Sequence, residues 1–275
     1  MIKDVLVSLS LQATPDVAAD YAVSLAATYR AHVVGIALVQ DPVIPMGAMS
    51  SAPVELIEIQ RQQNSRIAKD ALGRFEAAAG RVGIASEART VDVTAGSAAS
   101  LLGHIARRFD LAVIGQAQRE HGASQELMIE GVLFESGRPV IVVPYIHKDA
   151  FKVDRVLACW DGSRAAARAI GDAMPFLERA KAVDVVVVSE DHKQEEVAGA
   201  SMNDHLARHG VAAKVQRIAK GDINVEDAIL SYAADSGADF IVMGGYGHSR
   251  LREFMLGGVT RGMLGEMTVP VLMSH

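Results

Sequence analysis

The chain has 275 residues, enough for one large domain or two ordinary ones; half are hydrophobic and 22% are charged, so a buried core is easily built. A net charge of -6 without a long basic run argues against nucleic acid as a partner, and no apolar run reaches the roughly 18 residues of a membrane-spanning helix. The single cysteine, Cys159, excludes an internal disulfide and fits a reducing compartment; with no leader pattern between Met1 and the first strand-like run, a cytoplasmic location is expected.

In chain order, Val5 to Leu9 reads as a buried strand. Thr14 is the expected N-cap and Pro15 the first turn of a helix carrying Ala18, Tyr21, Ala22, Leu25 and Ala26 at helical spacing. A strand over His32 to Val39 follows, then a loop from Asp41 to Pro53. A long polar helix from Val54 to Arg81 and a strand over Ser86 to Val93 come next. A helix (Ala98 to Arg108), a strand (Asp110 to Gly115), a helix (Gln125 to Glu135) and a strand (Pro139 to Val143) complete the unit.

After His147-Lys148-Asp149 the order starts again. Arg155 to Ser163 parallels Asp4 to Leu11, and Ala167 to Leu177 parallels the first helix. Strands over Val183 to Ser189, Ala212 to Ile218, Asp239 to Met243 and Val269 to Met273 alternate with helices over Asn203 to His209, Val225 to Asp235 and part of Arg250 to Met267. Two matches mark an internal repeat: Asp110-Leu111-Ala112-Val113-Ile114-Gly115 against Asp239-Phe240-Ile241-Val242-Met243-Gly244, and Arg138 to Val143 against Thr268 to Met273. Alternating strands and helices indicate α/β units with parallel sheets and helices on both faces, divided at 1–147 and 148–275.

The richest stretch is Met243 to Thr260. Gly244 and Gly247 give a backbone room to approach a bulky anion, and Gly257 and Gly258 open a helix whose first N–H groups lack internal partners. The same glycines would also suit a tight strand-to-helix connection with no ligand. Arg250, Arg252 and Arg261 lie close in sequence, and His248 and Ser249 are either phosphate donors or solvated loop residues. No Gly-Lys-Ser/Thr tripeptide follows, which excludes a Walker A loop, and Arg250 stands where the dinucleotide fingerprint needs a third glycine.

The pattern Gly-x2-Gly-x9-Gly at Gly244, Gly247 and Gly257, after the fourth strand of an α/β unit, resembles the nucleotide-binding motif of the universal stress protein family. The resemblance extends over nearly the whole chain and implies a tandem member, two copies of a five-stranded, mostly parallel sheet. It implies ATP, with magnesium, as ligand of the second copy. Cys159 and Asp161 would border adenine, Val188 would pack on it, and Met243, Gly244, Gly247, Gly257, Gly258 and Val259 would line ribose and phosphates. The family motif has Ser or Thr where Gly258 stands. Asp161 has a second reading, as cap of the helix starting at Ser163.

The first copy departs from this pattern: Ser10 for Asp161, Gln116-Ala117-Gln118 after Gly115, and Arg119 to Ala123 for the loop, while Gly131 survives without a following hydroxyl. Glu120, Glu126 and Glu130 would repel phosphate, so no nucleotide is expected there. Elsewhere, His205 and His209 have zinc-compatible spacing but no third ligand, Cys159 reads as an inert buried thiol, and Asp154, Asp184 and Asp239 read as solvated strand ends. No catalytic residue or metal ligand emerges. The leading expectation is an ATP-binding stress-response protein, a homodimer that signals through occupancy. The alternatives are a slow magnesium-dependent ATP hydrolase and a partner-binding protein without nucleotide.

Overall fold

The computed structural model describes residues 1–40, 54–94, 96–117, 122–189, 201–219, 221–246 and 258–275. The expected loop at 41–53, and Arg119, Glu120, Gly247 to Arg250, Arg252 and Gly257, lie outside the described residues. The elements run β1 (Asp4–Ser8), α1 (Val17–Tyr29), β2 (His32–Gln40), α2 (Val54–Val82), β3 (Ser86–Val93), α3 (Ala98–Ala106), β4 (Leu111–Gly115), α4 (Gly122–Glu135) and β5 (Val140–Val143). The second series is β6 (Arg155–Cys159), α5 (Arg164–Leu177), β7 (Ala182–Ser189), α6 (Met202–Arg208), β8 (Ala213–Ala219), α7 (Val225–Ser236), β9 (Phe240–Gly244), α8 (Gly258–Glu266) and β10 (Val271–Ser274).

The ten strands form a single sheet in the order β3-β2-β1-β4-β5-β10-β9-β6-β7-β8. Within each half every pairing is parallel, and the halves meet where β5 and β10 pair antiparallel, with Ile141 opposite Leu272. The two expected sheets are therefore two halves of one. The inner strands β1, β4, β5, β6, β9 and β10 are short runs of Val, Ile, Leu and Ala, the composition of strands covered on both faces. The outermost strands β3 and β8 are half exposed and carry Glu87, Arg89, Lys214 and Arg217, charges that discourage edge-to-edge pairing.

Two cores lie on the two faces. One holds Phe75 of α2, Leu25 of α1, Phe176 of α5 and Leu206 of α6; the other holds Leu102 of α3, Ile129 of α4, Ile229 of α7 and Met263 of α8. On the first face an aromatic seam ties the halves together. Phe151 packs against Tyr21 and Tyr29 of α1, at centroid distances of 5.6 and 5.8 Å, and against Phe176 of α5 at 5.9 Å. Tyr29 donates its hydroxyl to the Pro175 carbonyl at 2.9 Å. His147 meets Tyr21 edge-on at 5.3 Å, and burial depresses its pKa below the ordinary value.

The repeated aspartates have a structural task. Asp110 accepts the Lys3 and Asp4 N–H groups, and Asp239 accepts those of Asp154 and Arg155. Each ties the start of a half's fourth strand to that of its first. Asp184 is likewise not a solvated strand end: it is 4% exposed and pairs with Arg155 at 3.2 Å. Charge pairing inside the sheet overrode the edge position suggested by sequence. Asp154 is partly exposed and pairs with Lys152 and Lys181. The cap of α1 is Asp16 rather than Thr14, because its carboxylate accepts the Ala19 N–H at 3.1 Å and the Ser10 N–H at 2.7 Å.

Candidate functional site

In the second half the chain leaves β6 toward β7 on one side, while β9 lies on the other. At this reversal the carboxyl ends of the strands part, and a cleft of about 360 Å³ opens, within the usual range for small-molecule sites of roughly 300–1,000 Å³. The end of β6 supplies Cys159, Trp160 and Asp161, and β7 supplies Val186 and Val188. Met243, Gly244 and Tyr246 come from β9 and its exit, Val225 and Ile229 from α7, and Gly258, Val259 and Thr260 from the start of α8. Seven residues singled out from the sequence therefore share one cavity: Cys159, Asp161, Val188, Met243, Gly244, Gly258 and Val259. The other two, Gly247 and Gly257, fall outside the described residues.

The walls are mostly apolar, with Asp161 at the rim. Its Oδ1 accepts the Ser163 N–H at 2.9 Å, closing the turn ahead of α5. The helix cap itself is Ser163, whose Oγ accepts the Ala166 N–H at 3.1 Å. Asp161 is thus not the cap; its carboxylate holds the turn that precedes the helix. Burial first, and the Asp161 charge second, push the Cys159 thiol up to about 12, so it stays protonated at neutral pH and is a poor nucleophile.

Gly244 plays a different part from the one its sequence context suggests. A Cβ there would lie 2.5 Å from the Ala166 nitrogen and 2.7 Å from the Ala165 carbonyl carbon. The glycine lets α5 close on the end of β9, and the room it leaves is taken by protein. Among the described residues, nothing lies within 4 Å of the Gly258 Cβ position.

Sequence reading missed Trp160 as a wall, and also Val186, Val225, Ile229, Tyr246 and Thr260. Val225 and Ile229 carry a signal in hindsight, being four apart on one helix face. Tyr246 carries none, because its place depends on the first half. Its backbone has φ 60° and it is 8% exposed. Its N–H donates to Thr260 Oγ1 at 3.2 Å, its ring lies 4.6 Å from that of Phe134 in α4, and its hydroxyl is 3.5 Å from Glu130 Oε1. Burial raises the pKa of both Tyr246 and Glu130.

The corresponding region of the first half carries larger side chains among the described residues. The Leu9 N–H donates to Ile36 as the Trp160 N–H donates to Val186, so Leu9 and Trp160 are counterparts, and Ile36 and Leu38 stand where Val186 and Val188 stand. Helices α4 and α8 both end five residues before the next strand (135 against 140, 266 against 271). This register pairs Ile129 with Thr260, Glu130 with Arg261, and Gly131 with Gly262. Gly131 is therefore not the survivor of the phosphate-loop glycine; Leu127 stands at the place of Gly258. Both glycines serve helix packing, as a Cβ at Gly131 would run into the Ala99 carbonyl and one at Gly262 into Glu226. Gln125 donates to the Gly115 carbonyl at 2.8 Å. Glu130, expected to repel phosphate within the first half, faces Tyr246 of the second instead.

His205 and His209 adjoin on α6, with centroids 4.8 Å apart, and His209 is the C-cap of that helix. Among the described residues no group of three or more His, Cys, Asp or Glu side chains is placed to hold a metal ion.

Residues 152–275 match the universal stress protein family. A universal stress protein of Synechocystis sp. is 26% identical over 183 residues, which is 60% of this chain and 57% of that protein, under two thirds of its length. A universal stress protein from Archaeoglobus fulgidus superimposes with a TM-score of 0.69 at 17% identity, over 98% of this chain and 95% of that one. A functionally unknown protein from Pseudomonas aeruginosa PAO1 does so with a TM-score of 0.62 at 13% identity, over 99% and 92%. At these identities the two structures speak for the fold.

Proposed function

From the match of residues 152–275 to the universal stress protein family, we propose that the second half of the chain binds ATP in the cleft between β6 and β9. The observation that carries the reading is the chemistry of the walls. Val186, Val188, Ile229 and Met243 offer an apolar slot for a flat base, while Asp161 at the rim is an acceptor suited to ribose hydroxyls. The start of α8 at Gly258, with the helix dipole behind it, suits the phosphates, which would carry magnesium with them.

The division at 147/148 is part of the proposal, with the first half as a non-binding copy. So are a homodimer and a cytoplasmic location; no described helix is long and apolar enough to cross a membrane. In this reading the protein acts through occupancy, in the context of a stress response. Hydrolysis is the subordinate reading. Among the described lining residues the ionisable side chains are Asp161, Cys159 and Tyr246, and none has the lysine or arginine chemistry that neutralises a transferring phosphoryl group.

The test uses Trp160, the chain's only tryptophan and a wall of the cleft. Nucleotide-stripped protein is titrated with ATP and magnesium by fluorescence and by calorimetry. Saturable binding near one ATP per chain, lost in Asp161→Ala, is expected. Absence of heat and signal up to millimolar ATP overturns the reading, and steady phosphate release abolished by Asp161→Ala would shift it to hydrolase.

A further inference from the structure

Tyr246 stands where the wall of the cleft meets the first half of the chain. A left-handed backbone is uncommon for a bulky side chain and persists where the surroundings hold it. Thr260, also in the wall, holds the Tyr246 N–H, and on the far side the ring rests on Phe134 with the hydroxyl toward Glu130. Gly245, one residue earlier, leaves the space that Leu133 of α4 occupies: a Cβ there would come within 2.7 Å of Leu133 Cδ2. The path from cleft to α4 is thus one side chain long.

We propose that the first half senses the occupant of the cleft through Tyr246. This rests on the nucleotide reading above. An occupant that packs on Tyr246 and Thr260 fixes the tyrosine ring, and the ring fixes Phe134 and Glu130. The face of α4 so ordered carries Leu127 and Phe134, which are 54% and 46% exposed and seven residues apart on the helix, an apolar stripe on the surface of the first half. Coupling of this kind needs the ligand to contact two states of the ring differently, and a residue of the wall is placed where such contact can occur.

The arrangement runs in one direction. Gln116 N–H donates to Val143 as Gly245 N–H donates to Ser274, so Ala117 is the first-half counterpart of Tyr246 and has no ring to reach across. At Gln116 the first half instead clamps the second, donating to the Leu264 and Gly265 carbonyls of α8 at 2.9 and 3.2 Å.

The experiment is amide hydrogen exchange on the full chain with and without saturating ATP and magnesium, beside calorimetry on the same samples. Exchange over residues 127–135 is expected to slow about fivefold or more, the low end of typical coupling. In Phe134→Ala the slowing should disappear while ATP still binds, and Phe134→Tyr should restore it, which a general loss of packing would not do. Saturable ATP binding with unchanged exchange over 127–135 overturns the relay alone, as does a full response in Phe134→Ala. Absence of ATP binding overturns the nucleotide reading and the relay together.

Discussion

Thr260 and Ile129 occupy the same place in α8 and α4, and both are buried, but Thr260 lines a cleft whereas Ile129 packs in the apolar core. Together with Ile36 and Leu38 in place of Val186 and Val188, the first half carries a few added methyl and methylene groups at the places that line the cleft of the second half. Thr260→Ile should therefore close that cleft. We expect the Trp160 response to ATP to be lost while the chain remains folded. Removing the acceptor of the Tyr246 N–H should cost about 1–3 kcal/mol in urea unfolding. Retained ATP binding would show that filling, as such, does not separate the halves.

Gly244 and Gly258 both line the cleft but should respond oppositely to substitution. Gly244→Ala drives a methyl into the backbone of α5 and should destabilise the protein by about 1–3 kcal/mol, read as a lower urea midpoint. Gly258→Ser places a hydroxyl at the start of α8 where no described residue comes within 4 Å of the added Cβ. It should leave the midpoint nearly unchanged and tighten ATP by about fivefold, one additional hydrogen bond of about 1 kcal/mol, as measured by calorimetry.

Asp110 and Asp239 each accept two backbone N–H groups at the start of a half's first strand. Asp239→Ala should cost about 2–5 kcal/mol, since two charge-assisted bonds are lost and the ion pair with Lys152 goes with them. Asp110→Ala should cost somewhat less. Equal, negligible losses in urea unfolding would mean that strand pairing alone sets the register.

His147 predicts a pH dependence of stability. Burial lowers its folded pKa below the ordinary 6.5, although the Asp149 charge opposes the shift. Below that ordinary value the unfolded chain takes up a proton that the folded chain resists, so stability falls as pH falls. The urea midpoint should drop between neutral pH and about pH 5, and drop less in His147→Phe, which retains an aromatic ring against Tyr21. An identical pH profile in the variant would remove His147 from the account.

The α/β class, the alternating order of elements and the repeat were legible in the chain, because buried parallel strands are continuous apolar runs and their helices are local patterns with local stops. Asp110 to Gly115 answers Asp239 to Gly244 for that reason. Asp161 and Gly244 could be placed at the cleft for a related reason, since strand ends converge at the reversal of an open sheet, whereas Cys159, Val188, Met243, Gly258 and Val259 were named through the resemblance to the universal stress protein family. What only the tertiary structure decided depends on the approach of segments far apart in sequence. The joining of two sheets into one arises where β5 meets β10. The burial of Asp184 depends on Arg155, and the need for glycine at 244 comes from the backbone of α5. The use of Tyr246 by both halves requires α4, more than a hundred residues upstream. Such contacts follow from packing between elements, and periodicity within an element carries no record of what lies opposite it.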